Sequence, residues 1–213
     1  MNKLFAIFCF SVATFTGSSQ LLSQTQTFSA SSDFTASGVT IVDSSSATES
    51  INIIDTSNQP IVDVLFSANV SSSGTSINND GTISGAGSPF NNELGLTLIS
   101  PSGTSLELIG VGTFQTGGID EAVELLDINF ADGGATQGLN PVAGTFAPTG
   151  GSFFAFNGEF ASGVWQVVIQ DTAFADPKSL NGFSLTVVTV PEPSSVSLVA
   201  LSLIGFAARR RKR

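Results

Sequence analysis

Histidine and tyrosine are absent from the 213 residues, and cysteine, methionine and tryptophan occur once each. Without an imidazole the chain cannot assemble a Ser-His-Asp or Cys-His nucleophile, and the usual zinc site is out of reach. The lone cysteine, Cys9, lies in an apolar N-terminal stretch, so an intramolecular disulfide is excluded. Cations are scarce and unevenly placed. Lys3 stands near the start, five are crowded into Arg209, Arg210, Arg211, Lys212 and Arg213, and Lys178 is the single basic residue between positions 25 and 189. Sixteen carboxylates precede Glu192, and set against one lysine they give that central region a formal charge of −15. Duplex nucleic acid is bound through cations that neutralise phosphate, so nucleic acid is excluded as a partner, and anionic lipid with it. Divalent cations, neutral polysaccharide and other proteins remain.

The two ends are built for export. Lys3, the apolar stretch 4–15 and the small residues Thr16, Gly17, Ser18 and Ser19 read as a secretory signal peptide within residues 1–24, cut by signal peptidase between Ser18 and Gln24. A lipoprotein reading fails because Phe8 precedes Cys9 where a small residue is needed. At the other end Val190, Pro191, Glu192 and Pro193 form a stiff extended spacer, since each proline fixes its own φ and biases its predecessor toward extended backbone. Residues 194–208 carry no charge and as a helix would span roughly 22 Å, short of the ~30 Å hydrocarbon core. Such a segment dwells in a membrane but anchors it weakly. The five terminal cations stay on the cytoplasmic side, which leaves everything before Val190 outside.

Motif, apolar run and basic end together, residues 190–213, closely resemble the PEP-CTERM sorting signal of Gram-negative bacteria. The resemblance implies recognition by an exosortase, transient membrane insertion, removal of the tail, and delivery to the cell surface or an exopolysaccharide matrix. The competing reading is an ordinary single-pass stop-transfer helix.

Residues 25–189 are enough for one domain with a sizeable core. Short runs rich in Val, Ile, Leu, Phe and Thr alternate with Gly, Ser, Asn, Asp and Pro clusters, and amphipathic helical periodicity is missing, which predicts an all-β, jelly-roll-like β-sandwich. Strands are expected near 39–43, 50–55, 62–70, 94–100, 105–110, 125–130, 164–171 and 183–190. The clearest hairpin joins Leu94, Leu96 and Leu98 to Leu106 and Leu108 through Ser100-Pro101-Ser102-Gly103, with proline at the second turn position. Residues 164–169 are apolar on nearly both faces, as in a central strand, and Trp165 reads as a core anchor. Residues 71–88 read as a flexible surface excursion. Within it Asn78, Asn79, Asp80 and Gly81 fail as an EF-hand loop, because Ser76 and Gly87 stand where acidic ligands belong. Residues 132–138 read as a turn.

A second resemblance covers the latter half of this domain. Residues 94–104, then Gly144, Thr145, Phe146, Ala147 and Pro148, then Phe156, Asn157 and Gly158, Gly163, Val164 and Trp165, Asp171, Thr172, Ala173 and Asp176, and finally Leu180 to Leu185 resemble the P/Homo B domain in order and spacing. That β-sandwich accompanies kexin-like and other subtilisin-type proteases. Where such domains tend to carry His-x-Tyr-x-Gly-Asp-Leu, this chain has Ser88-Pro89-Phe90-Asn91-Asn92-Glu93-Leu94, and Phe183 replaces a tryptophan after Asn181-Gly182. The resemblance implies the fold, not the protease, because no catalytic domain accompanies it in this chain.

Two carboxylate sets are candidates for chemistry. Asp120, Glu121, Glu124 and Asp127 would serve a glycan hydrolase working by an acid and base pair, although a charge cluster close in sequence is more often solvated surface. Asp127, Asp171 and Asp176 offer hard oxygen donors, and Ca²⁺ is the cofactor they would take. The simpler reading of Asp171 is a loop cap made through its side chain. The expectation is therefore a non-catalytic exported protein whose sandwich binds, adheres or displays. The alternatives are an accessory domain for a separate secreted serine-type protease, or a carboxylate-dependent glycan hydrolase.

Overall fold

The computed structural model describes residues 24–31, 39–55, 59–85, 87–114 and 121–189. The expected signal sequence up to residue 23 lies outside the described residues, as do Val190 to Pro193, the apolar run, Arg209 to Arg213 and Asp120.

The described strands are β1 (Gln24–Ser31), β2 (Thr40–Val42), β3 (Ser46–Ile53), β4 (Ile61–Ser72), β5 (Ser76–Ile77), β6 (Ile83–Ser84), β7 (Leu94–Ile99), β8 (Ser105–Ile109), β9 (Val123–Ala135), β10 (Gly144–Phe146), β11 (Gly163–Asp171) and β12 (Lys178–Thr189). One sheet has the order β1-β12-β4-β9-β10, with β2 also pairing β12, and the other has the order β3-β11-β7-β8. The protein is an all-β sandwich.

Alternation explains the stacking. Val64, Phe66, Ala68 and Val70 of β4, Ile128 and Phe130 of β9, and Phe183, Leu185 and Val187 of β12 turn to one side of the first sheet. They meet Leu94, Leu96 and Leu98 of β7, Leu106 and Leu108 of β8, and Trp165, Val167 and Ile169 of β11 in one continuous core. Each such side chain stabilises the fold by roughly 1.5–3 kcal/mol when fully buried, and a one-residue slip in register would expose a whole row. Trp165 is the core anchor expected of it: its indole lies edge-on to Phe156 with centroids 5.3 Å apart, and its Nε1 donates to the Ala161 carbonyl at 2.9 Å.

The β7–β8 hairpin turns as its sequence requires. The Gly103 amide donates to the Ser100 carbonyl at 2.9 Å, and Gly103 itself has φ +88°, a conformation natural to a residue without Cβ.

Several expectations are corrected. β11 is central in its sheet, but Val164 is 49% exposed, so this strand has one buried face rather than two. Residues 132–138 are not simply a turn, because β9 continues to Ala135 and takes β10 alongside it in parallel. The stretch 71–88 contains the β5–β6 hairpin, in which Asn78 to Gly81 form a tight turn closed by a 2.9 Å bond from the Gly81 amide to the Asn78 carbonyl. Here Asp80 accepts from the backbone and hydroxyl of Thr82, and those bonds lower its pKa.

β12 runs the length of the molecule and defines two poles. At one, Lys178 pairs with Ser72 and Val42. At the other, Thr189 pairs with both Gln24 and Ile61, so the first and last described residues are neighbours.

Candidate functional site

The lysine pole holds the most unusual chemistry of the fold. Lys178, the single cation of the central region, is 0% exposed. Its Nζ donates to Asp176 Oδ2 at 2.8 Å and to the Asp176 carbonyl. A buried ammonium is tolerated only when paired and hydrogen-bonded, and this one is both.

Around that pair the loop 172–177 is fastened by side chains. Asp171 accepts from the Ala173 amide at 3.3 Å, and Asp43 accepts from the Ala175 amide at 3.0 Å. The second partner of Asp176 Oδ2 is the Phe90 amide, which ties the segment before β7 to the same carboxylate. Ala175 has φ +87°, a strained conformation for a residue with a Cβ. Asp171 thus does cap the loop.

Glu93 completes the group. It lies in the 3-10 turn Asn91–Glu93 just before β7, whose first residue, Leu94, pairs with Asp171. Burial pushes its carboxyl up to about 7, reinforced by Asp176 and Asp171 and opposed by Lys178. Burial likewise raises Asp171 to about 6, against the pull of Lys178 and the Ala173 amide and with help from Asp176 and Asp43. Glu93 Oε2 and Asp171 Oδ2 are buried without a hydrogen-bond partner among the described residues. Three carboxylates facing one ammonium cannot all be ionised cheaply, and these two hold protons well above the ordinary carboxylate range.

The calcium trio is not assembled. Asp171 and Asp176 are brought together, but Asp127 is exposed on β9, where it accepts from Asn69 Nδ2 at 2.8 Å. The position a cation would take beside Asp176 is filled by Lys178 Nζ, and no group of three carboxylates suited to a metal occurs among the described residues. These residues do not fit Ca²⁺. Of the other candidate set, Glu121, Glu124 and Asp127 are all exposed near the start of β9. Sequence reasoning singled out Lys178 for its charge and missed Glu93 as its neighbour, for which the only signal was glutamate standing where the resembled pattern has aspartate.

Two side-chain networks away from the lysine pole do structural work. Asn181 Nδ2 bridges Asn69 Oδ1 and Ser71 Oγ at 2.9 Å each, and its Oδ1 accepts from Ser179. Asp132 caps the turn Phe153–Phe156 by accepting from the Phe153 amide at 2.7 Å, and this seats Phe153 and Phe156 in the core.

The family model described as the PEP-CTERM protein-sorting motif matches residues 189–212, beginning at the last residue of β12. The chain therefore carries an exosortase sorting signal and is an exported protein of the cell surface or beyond. Two solved structures of the serine protease of Aeromonas sobria, the second in complex with the chaperone, are similar at 16% identity over 79% of this chain. The TM-scores are 0.39 and 0.40, and the match spans 27% of the protease chain. No curated protein matches.

Proposed function

We propose that this is a non-catalytic display protein: a P/Homo B-like sandwich carried out of the cell, released from its tail by exosortase, and retained at the surface or in an exopolysaccharide matrix, where it makes adhesive or structural contacts. The observation that carries this reading is the junction at Thr189. The sorting match begins where the last core strand ends, so the tail is attached directly to a folded sandwich. A surface charge of one sign suits contact with neutral glycan or with cation-bearing partners. The lysine pole supports structure rather than turnover, because its carboxylates are spent on holding a loop and burying an ammonium. The glycine, asparagine and aromatic positions of the resembled pattern likewise serve turns, a polar network and the core.

The test is the mass and cell fraction of the mature protein. The wild type is expected to end near Pro193 and to leave the inner membrane. A double variant Pro191→Ala, Pro193→Ala is expected to keep Arg213 and stay in the membrane. Wild-type protein that retains Arg213 in the inner membrane would overturn the proposal. Turnover of peptide or glycan libraries by the purified ectodomain, lost in Glu124→Gln or Asp127→Asn, would overturn its non-catalytic part.

A further inference from the structure

Exposed apolar side chains occur at both poles, Phe90, Val111 and Phe174 at the lysine pole among them, but only those of the terminal pole lie beside the start of the tail. Ile54 is 77% exposed, Phe154 68%, and Phe160 and Val164 49% each. They are held close to the chain ends. Phe160 bridges to Pro60, the Ile61 amide donates to the Glu159 carbonyl at 2.8 Å, and the Gly158 amide donates to the Ile61 carbonyl at 2.8 Å. Ile61 is the residue that pairs with Thr189. Ile54 adjoins Asp55, whose amide and carbonyl both bond the hydroxyl of Ser162, between Phe160 and Val164. Phe154 is on the 3-10 turn that delivers the chain to Gly158.

The carboxylates of this pole are mostly turned away from solvent. Asp55 is buried, Glu159 accepts from Thr104 Oγ1, and Asp132 accepts from Ser152 Oγ and the Phe153 amide at 2.7 Å each. Asp63, beside Val188, is exposed.

Chain length fixes what lies opposite. Six residues, Val190 to Ser195, separate Thr189 from the apolar run that begins at Val196. Fully extended they reach at most about 20 Å. A sandwich tethered by that run therefore keeps its terminal pole within about 20 Å of the hydrocarbon edge, near enough to touch the headgroup layer. Resting on the sorting reading, we propose that Ile54, Phe154, Phe160 and Val164 form a lipid-contacting rim that seats the sandwich on a zwitterionic membrane surface before the tail is cut, leaving the lysine pole pointing outward. Aromatic and aliphatic side chains partition into that interface, and a surface of this charge would be repelled by anionic headgroups. After cleavage the tether is gone and contact through so few side chains is reversible, which lets the product leave.

The full chain with Cys9→Ser, reconstituted into phosphatidylcholine vesicles, provides the test through single cysteines carrying a fluorophore and lipids bearing a headgroup-level spin-label quencher. Labels at Phe154→Cys and Phe160→Cys are expected to lose several-fold more emission than a label at Phe174→Cys, which is the most exposed of the three but lies at the lysine pole. A label at Ser202→Cys reports the tail independently. Quenching at 202 with equal quenching at 154, 160 and 174 would overturn the rim while leaving the sorting reading intact. Absence of quenching at 202 would overturn the tail insertion on which both depend. All these positions are exposed or outside the sandwich, so substitution does not threaten its core.

Discussion

The protein lacks histidine, the side chain that ordinarily titrates between about pH 5 and pH 7.5. Two carboxylates of the lysine pole are raised into that window. Glu93 is raised from 4.5 to about 7 and Asp171 from 3.8 to about 6, so the folded protein keeps protons that the unfolded chain releases. The sign follows directly: stability is full below the unfolded values and is lost as pH rises through 6 to 7. At 1.36 kcal/mol per unit the two shifts set a ceiling of roughly 4 kcal/mol over this range. Glu93 is half-buried and the groups titrate together, so water and coupling reduce the expected loss to about 2 kcal/mol. For a domain of this size that is about 4–8 °C in Tm, falling from pH 5 to pH 7.5, the reverse of common acid denaturation. The assay is thermal unfolding of residues 24–189 by circular dichroism, wild type against Glu93→Gln. The amide removes the charge that burial resists, so the variant is expected to melt about 3–6 °C above wild type at the upper pH and within a degree or so of it at pH 5. A flat Tm in the wild type, or a Glu93→Gln variant that is less stable at both pH values, would refute the reasoning.

Lys178→Met should destabilise the domain by about 3–5 kcal/mol near neutral pH, since it strands Asp176 among two other carboxylates, and by clearly less at pH 5; urea unfolding at the two pH values measures the difference. Millimolar Ca²⁺ against chelator should leave Tm unchanged, and a calcium-dependent rise of several degrees would show that Asp171 and Asp176 hold the ion after all. Phe156→Ala removes a fully buried ring from the edge of Trp165 and should cost about 3–5 kcal/mol, seen together with a red shift and greater quencher access of the single tryptophan's emission. Gly103→Val places a β-branched side chain at φ +88° and should weaken the β7–β8 turn by about 1–3 kcal/mol, read as lower urea resistance.

Much of the sandwich was legible because its strands follow a period of two. Leu94, Leu96 and Leu98 announce both a strand and its buried face, and Ser100-Pro101-Ser102-Gly103 announces the turn. The pairing of β1 across β12 was not legible, since Gln24 to Ser31 is a polar run whose strand character comes from a neighbour more than 150 residues away in sequence. β10 was missed for the same reason. It is three residues long and extended only because β9 offers it an edge. Residues 71–88 have the composition of a loop, and local bonds, rather than hydrophobic pattern, fold part of them into a hairpin.

The sequence by itself determined the address, the charge and the class of fold, because a sorting motif, a lone lysine and an alternating pattern are properties of the chain read in order. Only the tertiary structure decided the fate of the carboxylates. Asp127 was separated from Asp171 and Asp176, while Glu93 was carried next to them around a lysine sealed from water. It likewise placed the first and last strands edge to edge, so that one pole bears the residue at which the sorting motif begins and the other the buried charges. The physical reason is common to both outcomes: burial and pairing act between residues distant in sequence, and neither leaves a local signature.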